Sequence, residues 1–412
     1  MTSAPSDPPD GVGRLAAFRS RSFAVFWSAL AISAIGSRAT LTANLWQLLQ
    51  LTDSASLVGA VGLADAAALL LLTPLGGLFA DRLERRRLLQ VTQVLACCVS
   101  AALWVGTISG AIRPGHIYLA VALFSAATTF ELPVRQAMLP ALVPRSALVS
   151  ALTLSAPIYQ VAGLAGPALA GVLIAAAGVA PVYLVDALSY LALVISLAVL
   201  HVPPLGASGP RPGLLASFTE GIGYVRHRPL LWQLMLLDFA ATLFGAYRAL
   251  LPLIARDVLG AGAEGYGLLS SAVSAGALVG SGLMIRLGRG AISGRAVLAS
   301  TAAYSIVVAA LGQVDLLSLA VMATALLGAL DAVGATVRAT LVQLETPDTL
   351  RGRVSAFAYL LARGGPALGQ ALLGGMAGAL GIPTALALGA SVPFLLASSL
   401  ASFGRTLREH RS

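Results

Sequence analysis

The chain is a succession of long, nearly uncharged apolar runs, cut by short clusters of Arg, Gly, Pro and Asp. Runs such as 56–80 and 183–200 each carry a single acid and reach the ~20 residues that a helix needs to cross a bilayer core. No stretch shows the ~10-residue apolar/polar alternation of a transmembrane barrel strand. The breakers divide the apolar positions into twelve expected spans, at 24–49, 56–79, 88–109, 117–139, 149–176 and 180–200, then 230–253, 265–286, 296–314, 316–341, 354–379 and 382–403. The least marked boundary lies between spans nine and ten, where Asp315 is almost the only punctuation.

Composition agrees with the pattern. Apolar residues make up 58% of the 412 positions and charged residues 10%, against about 45–50% and 25% in a soluble domain. Mean hydropathy is +0.87. The expected class is therefore an all-α polytopic membrane protein. The tail MTSAPSDPPD lacks the basic, apolar, small-residue order of a cleavable signal and is expected to be a short polar tail.

The net charge of +9 changes the picture only through its distribution. All 26 basic residues are Arg, so a P-loop, which places Lys on phosphates, is absent. With the N-terminus cytoplasmic, nineteen of these Arg fall in cytoplasmic tails and loops, two outside (Arg113 and Arg256) and five within spans. The positive-inside rule favours that topology, and an even number of spans puts both termini on the cytoplasmic face. Scattered in short loops, the charge does not form a nucleic-acid footprint.

The chain divides at 201–229. This linker opens PPLGASGPRPG, and then Leu214, Phe218, Ile222 and Val225 recur at helical spacing, as in an amphipathic helix on the inner membrane surface. The expected units are a tail at 1–21, bundles at 22–200 and 230–403 joined by this linker, and a tail at 404–412. The bundles echo one another. Val134-Arg135 and Pro144 recur as Val337-Arg338 and Pro347, 203 positions later, and Gly166-Pro167-Ala168-Leu169 recurs as Gly365-Pro366-Ala367-Leu368, 199 later. Near-constant offset implies two six-helix pseudo-repeats, an architecture suited to alternating access about a midplane site.

One cytoplasmic loop is unusually charged. In GGLFADRLERRRLLQ, six of the seven residues 81–87 carry charge. The spacing Gly77-x-x-x-Asp81-Arg82-x-x-Arg85-Arg86 after span two resembles the loop signature of the major facilitator superfamily, with Glu84 where many members have Gly. Three further segments, ELPVRQAMLPALVP, LLPLIARDVLGAGAEGYGLL and QLETPDTLRGRVSAF, resemble the branch containing the enterobactin exporter and macrolide-efflux proteins. The resemblance spans nearly the whole chain. It implies the major facilitator fold and a proton-coupled exporter of a drug-like or natural-product molecule. A siderophore exporter is the alternative, and a non-transporting receptor or assembly factor on the same fold is a third reading.

The resemblance also assigns roles. Gly77, Asp81, Arg82, Arg85 and Arg86 would form a cytoplasmic latch, with Asp81 against the N-terminal end of span eleven. The same charges can equally serve only as a topology signal. In span five, Gly163, Gly166, Pro167 and Gly171 resemble the Gly/Pro motif of proton-driven exporters, or are ordinary close packing with a Pro kink.

Nine ionisable residues fall within spans or near their ends: Arg38, Asp65, Glu131, Arg135, Asp186, Asp238, Arg248, Asp331 and Arg338. Each costs roughly 2.5–3.5 kcal/mol at a bilayer centre on insertion scales, so most should face a cavity or pair. Glu131 and Arg135 are one helical turn apart and suited to pairing. Asp331 and Arg338 share a face of span ten. Arg135 and Arg338, near the cytoplasmic ends, suit gating or structure. Asp186, near the outer end of span six, is expected at the interface. Asp65 and Asp238 are the candidate proton carriers, and Arg38 either neutralises an acid or binds an anionic substrate. Arg248 lies about 80° from Asp238 on a regular helix and need not share its face.

Other signals carry nothing. GAGAEG at 260–265 matches GxGxxG but has no strand before it. His116, His201, His227 and His410 show no metal spacing. Adjacent Cys97 and Cys98 read as small core residues rather than a staple. GxSxG and HExxH are absent, so an enzyme is not expected. The expected partners are a small molecule and the bilayer, with no metal, cofactor or nucleic acid and a monomeric chain powered by a proton gradient.

Overall fold

The computed structural model describes residues 15–82, 85–155, 157–200, 214–403 and 407. Within them, the side chains at 72–82, 85, 130, 132–133, 136–137, 214–219, 289 and 403 lie outside the description. The described residues are helical almost throughout, with no strand.

The helices fall where the apolar runs place them. The first six spans are Arg21–Thr52, Ala55–Gly59 with Val61–Arg82, Arg85–Ile108, Pro114–Leu142, Leu148–Ser155 with Ile158–Ala177, and Ala180–Val199. Leu214–Arg226 follows as the linker helix. The second set is Pro229–Phe244 with short helical pieces to Val258, then Gly262–Leu287, Gly294–Leu311, Leu317–Leu344, Asp348–Leu380 and Ile382–Phe403. Among the described residues nine of these are long and apolar enough to cross a membrane by length and composition alone. Span eleven is the least apolar of the second set, because Arg351, Arg353 and Arg363 lie along it.

Local chemistry sets the ends. Ser20, Ser54 and Ser293 cap helices by accepting a hydrogen bond from the N–H three residues on. Spans five and eleven both stop at a glycine with positive φ, Gly178 at 77° and Gly381 at 83°, where a side chain would be strained. These two glycines are 203 positions apart, the same offset as the Val-Arg echo.

Within the first half, span one packs on spans five and six, span three on spans four and six, and span two on span four. The second half repeats the scheme, with span eight on ten, nine on ten and twelve, and seven on eleven. The halves meet chiefly through spans five and eight and through spans two and eleven. The repeat relates two to eight and five to eleven, so each interface is the image of the other.

The buried cores show where the halves are joined. One apolar core draws on both halves, including Leu45, Trp46, Val58, Leu251, Ile254 and Tyr266. It lies at the end of the bundle away from the chain termini. At the termini end there are two separate cores. One holds Phe23, Phe26, Met138 and Leu197 of the first half, and the other holds Val225, Leu231, Val297 and Leu341 of the second. The halves are therefore packed together at one end and separately cored at the other.

The linker helix packs on the second half. Val225 is fully buried in the second-half core, Tyr224 Oη donates to Glu345 O at 3.3 Å, and Glu220 pairs with Arg353. Ile222 and Val225 thus pack on the second half. The GAGAEG segment is the turn into span eight, with Gly260 and Gly262 at φ of 59° and 60°.

Candidate functional site

Between the halves lies a cavity of about 860 Å³, within the range typical of small-molecule sites. Spans one, two, four, five, seven, ten and eleven line most of it, and it runs to Val342, Gln343 and Ser355 at the termini end. The opposite end is closed. There the rings of Trp46 and Tyr266 stack across the halves at 6.0 Å, and Arg256 of the second half forms an ion pair with Asp53 of the first. Gly171 and Gly267 touch backbone to backbone between spans five and eight, as do Gly59 and Gly374 between spans two and eleven.

Ten charged residues line the cavity. Glu131 and Arg135 form the expected ion pair, and Arg135 also donates to Tyr159 Oη at 2.6 Å. Arg338 does not pair with Asp331 on its own helix. It reaches across to Asp238 on span seven, at 2.6 Å. Two helical turns separate Asp331 from Arg338 along span ten, whereas span seven presents a carboxylate directly opposite.

Arg248 reaches the cavity because span seven is not regular. The α-helix ends at Phe244, Gly245 caps it, and the chain re-forms as a tight turn at Tyr247–Leu250. Tyr304 of span nine donates from Oη to Gly245 O at 3.0 Å, which occupies the broken end. The break carries Arg248 onto the wall that also holds Asp238.

Arg38 has no carboxylate partner among the described residues. Its charged neighbours across the cavity are two cations, Arg248 and Arg363. Span five sets its position: a Cβ at Gly166 would lie 2.8 Å from Ile35 O and 3.0 Å from Ala39 N, so only glycine lets the helices approach here. Gly163 abuts Ser274, and Gly171 abuts Gly267. Ser271 donates to Leu164 O at 2.8 Å, just ahead of Pro167. The Gly/Pro segment is thus the seam between the two halves.

Asp65 faces the cavity without an ion pair among the described residues, and Asp331 stands near both Asp238 and Arg248. Asp186 departs from its expected interfacial place. It is 0% exposed, at the back of the cavity wall among spans one, three and six, and its Oδ2 accepts from Ser100 at 2.6 Å. Position along a helix gives depth, but rotation decides what a side chain meets. Arg363 is the residue that the charge inventory missed. Its signal was a basic residue inside span eleven.

Gly77, Asp81, Arg82 and Arg85 lie outside the described side chains. Arg86 donates to Leu197 O and Ala198 O, each at 3.0 Å, closing the carbonyl end of span six within its own half. Cys97 and Cys98 are free thiols, and Cys97 donates to Ala187 O.

This geometry can be set beside known proteins. Residues 12–412 match the family described as transmembrane secretion effector. The chain belongs to this family of the major facilitator superfamily. Among its relatives, the enterobactin exporter EntS of Citrobacter koseri is 30% identical over 386 residues, covering 90% of the chain and 87% of that protein. EntS of Shigella boydii serotype 4 is 29% identical over 376 residues, with the same coverage. Solved structures share the fold. An inward-facing, unoccupied bacterial homologue of the lysosomal transporter Spinster superposes with a TM-score of 0.73 at 15% identity, covering 96% of this chain and 98% of that one. The nucleoside transporter NupG gives 0.73 at 15% identity, covering 93% and 98%. As a facilitator, the chain is a transporter and not an enzyme, and its two half-bundles enclose the cavity just described.

Proposed function

We propose that this facilitator is a proton-coupled exporter of a natural-product small molecule of the siderophore kind, working by alternating access. The observation that carries the reading is the charged cavity between two pseudo-repeats, sealed at one end and reaching the other, in a chain 30% identical to an enterobactin exporter. The sealed end faces outward and the termini end faces the cytoplasm of a bacterial inner membrane, as the distribution of Arg favours. Substrate enters the cavity from the cytoplasm. The halves then rock about the cavity, parting the seams of spans five and eight and of spans two and eleven at the sealed end.

Protons supply the driving force, with no resident cofactor, and a single chain suffices. Asp238 exchanges its bond to Arg338 for a proton, which frees the Arg338 guanidinium and couples protonation to the packing of spans seven and ten. Asp65 is the second carrier.

Everted membrane vesicles with an acid interior and an internal pH dye test this. Adding a siderophore, as against a macrolide or a dye, is expected to release protons from wild-type vesicles and to release fewer with Asp65→Asn or Asp238→Asn. No release with any compound from folded protein, or equal release from all three proteins, contradicts it.

A further inference from the structure

Three guanidinium groups line the cavity without an ion pair to a carboxylate among the described residues. Arg38 comes from the first half, and Arg248 and Arg363 from the second. Each is without an ion pair among the described residues, and the two second-half cations are the charged neighbours of Arg38. Three of the cavity's acids are otherwise placed. Glu131 is held by Arg135 and Asp238 by Arg338. Asp186 is buried in the wall, accepting from Ser100. Asp331 is in electrostatic reach of Arg248 but forms no ion pair with it. Asp65 faces the cavity with no cation bound to it.

Like charges gathered in a low-dielectric space repel, and an arrangement of this kind is relaxed by a bound anion. Guanidinium is the side chain best suited to that work, because its planar fork engages an acid group through two parallel hydrogen bonds. Rings flank the trio. Tyr159 and Tyr359 are 39% and 50% exposed and line the cavity, and Phe124 stacks on Tyr190 at 6.3 Å nearby. They offer flat surfaces to an apolar or aromatic body.

We propose that the cavity recognises an organic anion, with its acid group bridged between Arg38 of one half and Arg248 and Arg363 of the other, and its ring system against Tyr159 and Tyr359. This rests on the exporter reading and narrows it to a charge class. A bridged anion also links the two halves across the cavity, so binding itself favours closure of the termini end.

A matched series tests the class by binding alone: naphthoate, its neutral amide and naphthylmethylammonium, titrated calorimetrically into the purified full-length protein. Naphthoate is expected to bind about tenfold or more tightly than naphthamide, as charge-assisted hydrogen bonds require, and the ammonium not at all. Arg363→Gln should weaken naphthoate by about tenfold and leave naphthamide unchanged, and Arg38→Lys should keep part of the preference. Equal binding of acid and amide, or variants that weaken both alike, overturns the proposal. So does absence of naphthoate binding in a protein that still releases protons in the vesicle assay, and that result leaves export standing. Intact selectivity for the acid without proton release has the reverse meaning.

Discussion

Gly59 and Gly374 meet backbone to backbone: a Cβ on Gly374 would lie 2.6 Å from the Cα of Gly59. The same construction appears at Gly171 and Gly267, where a Cβ on Gly171 would lie 3.0 Å from the Cα of Gly267. One pair joins span two to span eleven and the other joins span eight to span five. The pseudo-repeat has thus built one contact twice, and the two contacts together hold the halves shut at the end away from the termini. Without a hydrophobic drive between helices in lipid, close approach of small residues is what such seams depend on.

Replacing Gly374 with Leu should wedge this seam. Overpacking of this kind costs about 1–3 kcal/mol, and here the cost falls on the closed arrangement alone. In a variant lacking Cys97 and Cys98, a cysteine at Leu41 in the cavity should then react faster with an impermeant maleimide added from the sealed side. Unchanged labelling means that Gly374 does not hold the seal.

Asp238 and Arg338 should be coupled beyond either side chain alone. Asp238→Asn leaves a guanidinium partly buried without its partner, and Arg338→Gln leaves a carboxylate so. Each is expected to lower the melting temperature, and the double variant should recover part of the loss. The coupling in the cycle should be about 1–3 kcal/mol. Additive losses would show that the 2.6 Å contact carries no energy.

Asp186 is expected to matter for its hydrogen bond. Asp186→Asn keeps an acceptor for Ser100 and should fold almost as well as wild type. Asp186→Leu leaves a hydroxyl at a fully buried position unpaired, at about 1–3 kcal/mol. Thermal unfolding in detergent distinguishes them, and equal stability of the two variants contradicts the assignment.

Arg86→Ala should remove the two hydrogen bonds that close span six, lowering stability by about 1 kcal/mol while leaving transport intact. Loss of transport with unchanged stability would instead place Arg86 in the gating loop.

Much of this was legible in the order of residues. The spans follow from apolar run length, the repeat from echoes at offsets of 203 and 199, and the Glu131–Arg135 pair from helical spacing. Contacts within one helix can be read from spacing because the helix fixes their geometry. Asp238–Arg338 could not be, since the partners are a hundred positions apart and only the packing of spans seven and ten aligns them. Arg248 depended on a helix break at Gly245, which a regular 3.6-residue period conceals. The burial of Asp186 depended on rotation about span six, which a nearly all-apolar helix does not encode. The Gly/Pro segment of span five gained its meaning only when Gly171 was found facing Gly267.

The central claim is that one cavity is served alternately from two sides by two rocking halves. Spin labels at two pairs of exposed positions test it, in a background without Cys97 and Cys98. Ser146 and Thr349 report on the termini end, and Ser109 and Gln313 on the sealed end. On adding substrate at low pH, the account predicts a shorter 146–349 distance and a longer 109–313 distance, changing together in the same molecules. Distances that stay fixed at both ends, or that shorten at both, would contradict it.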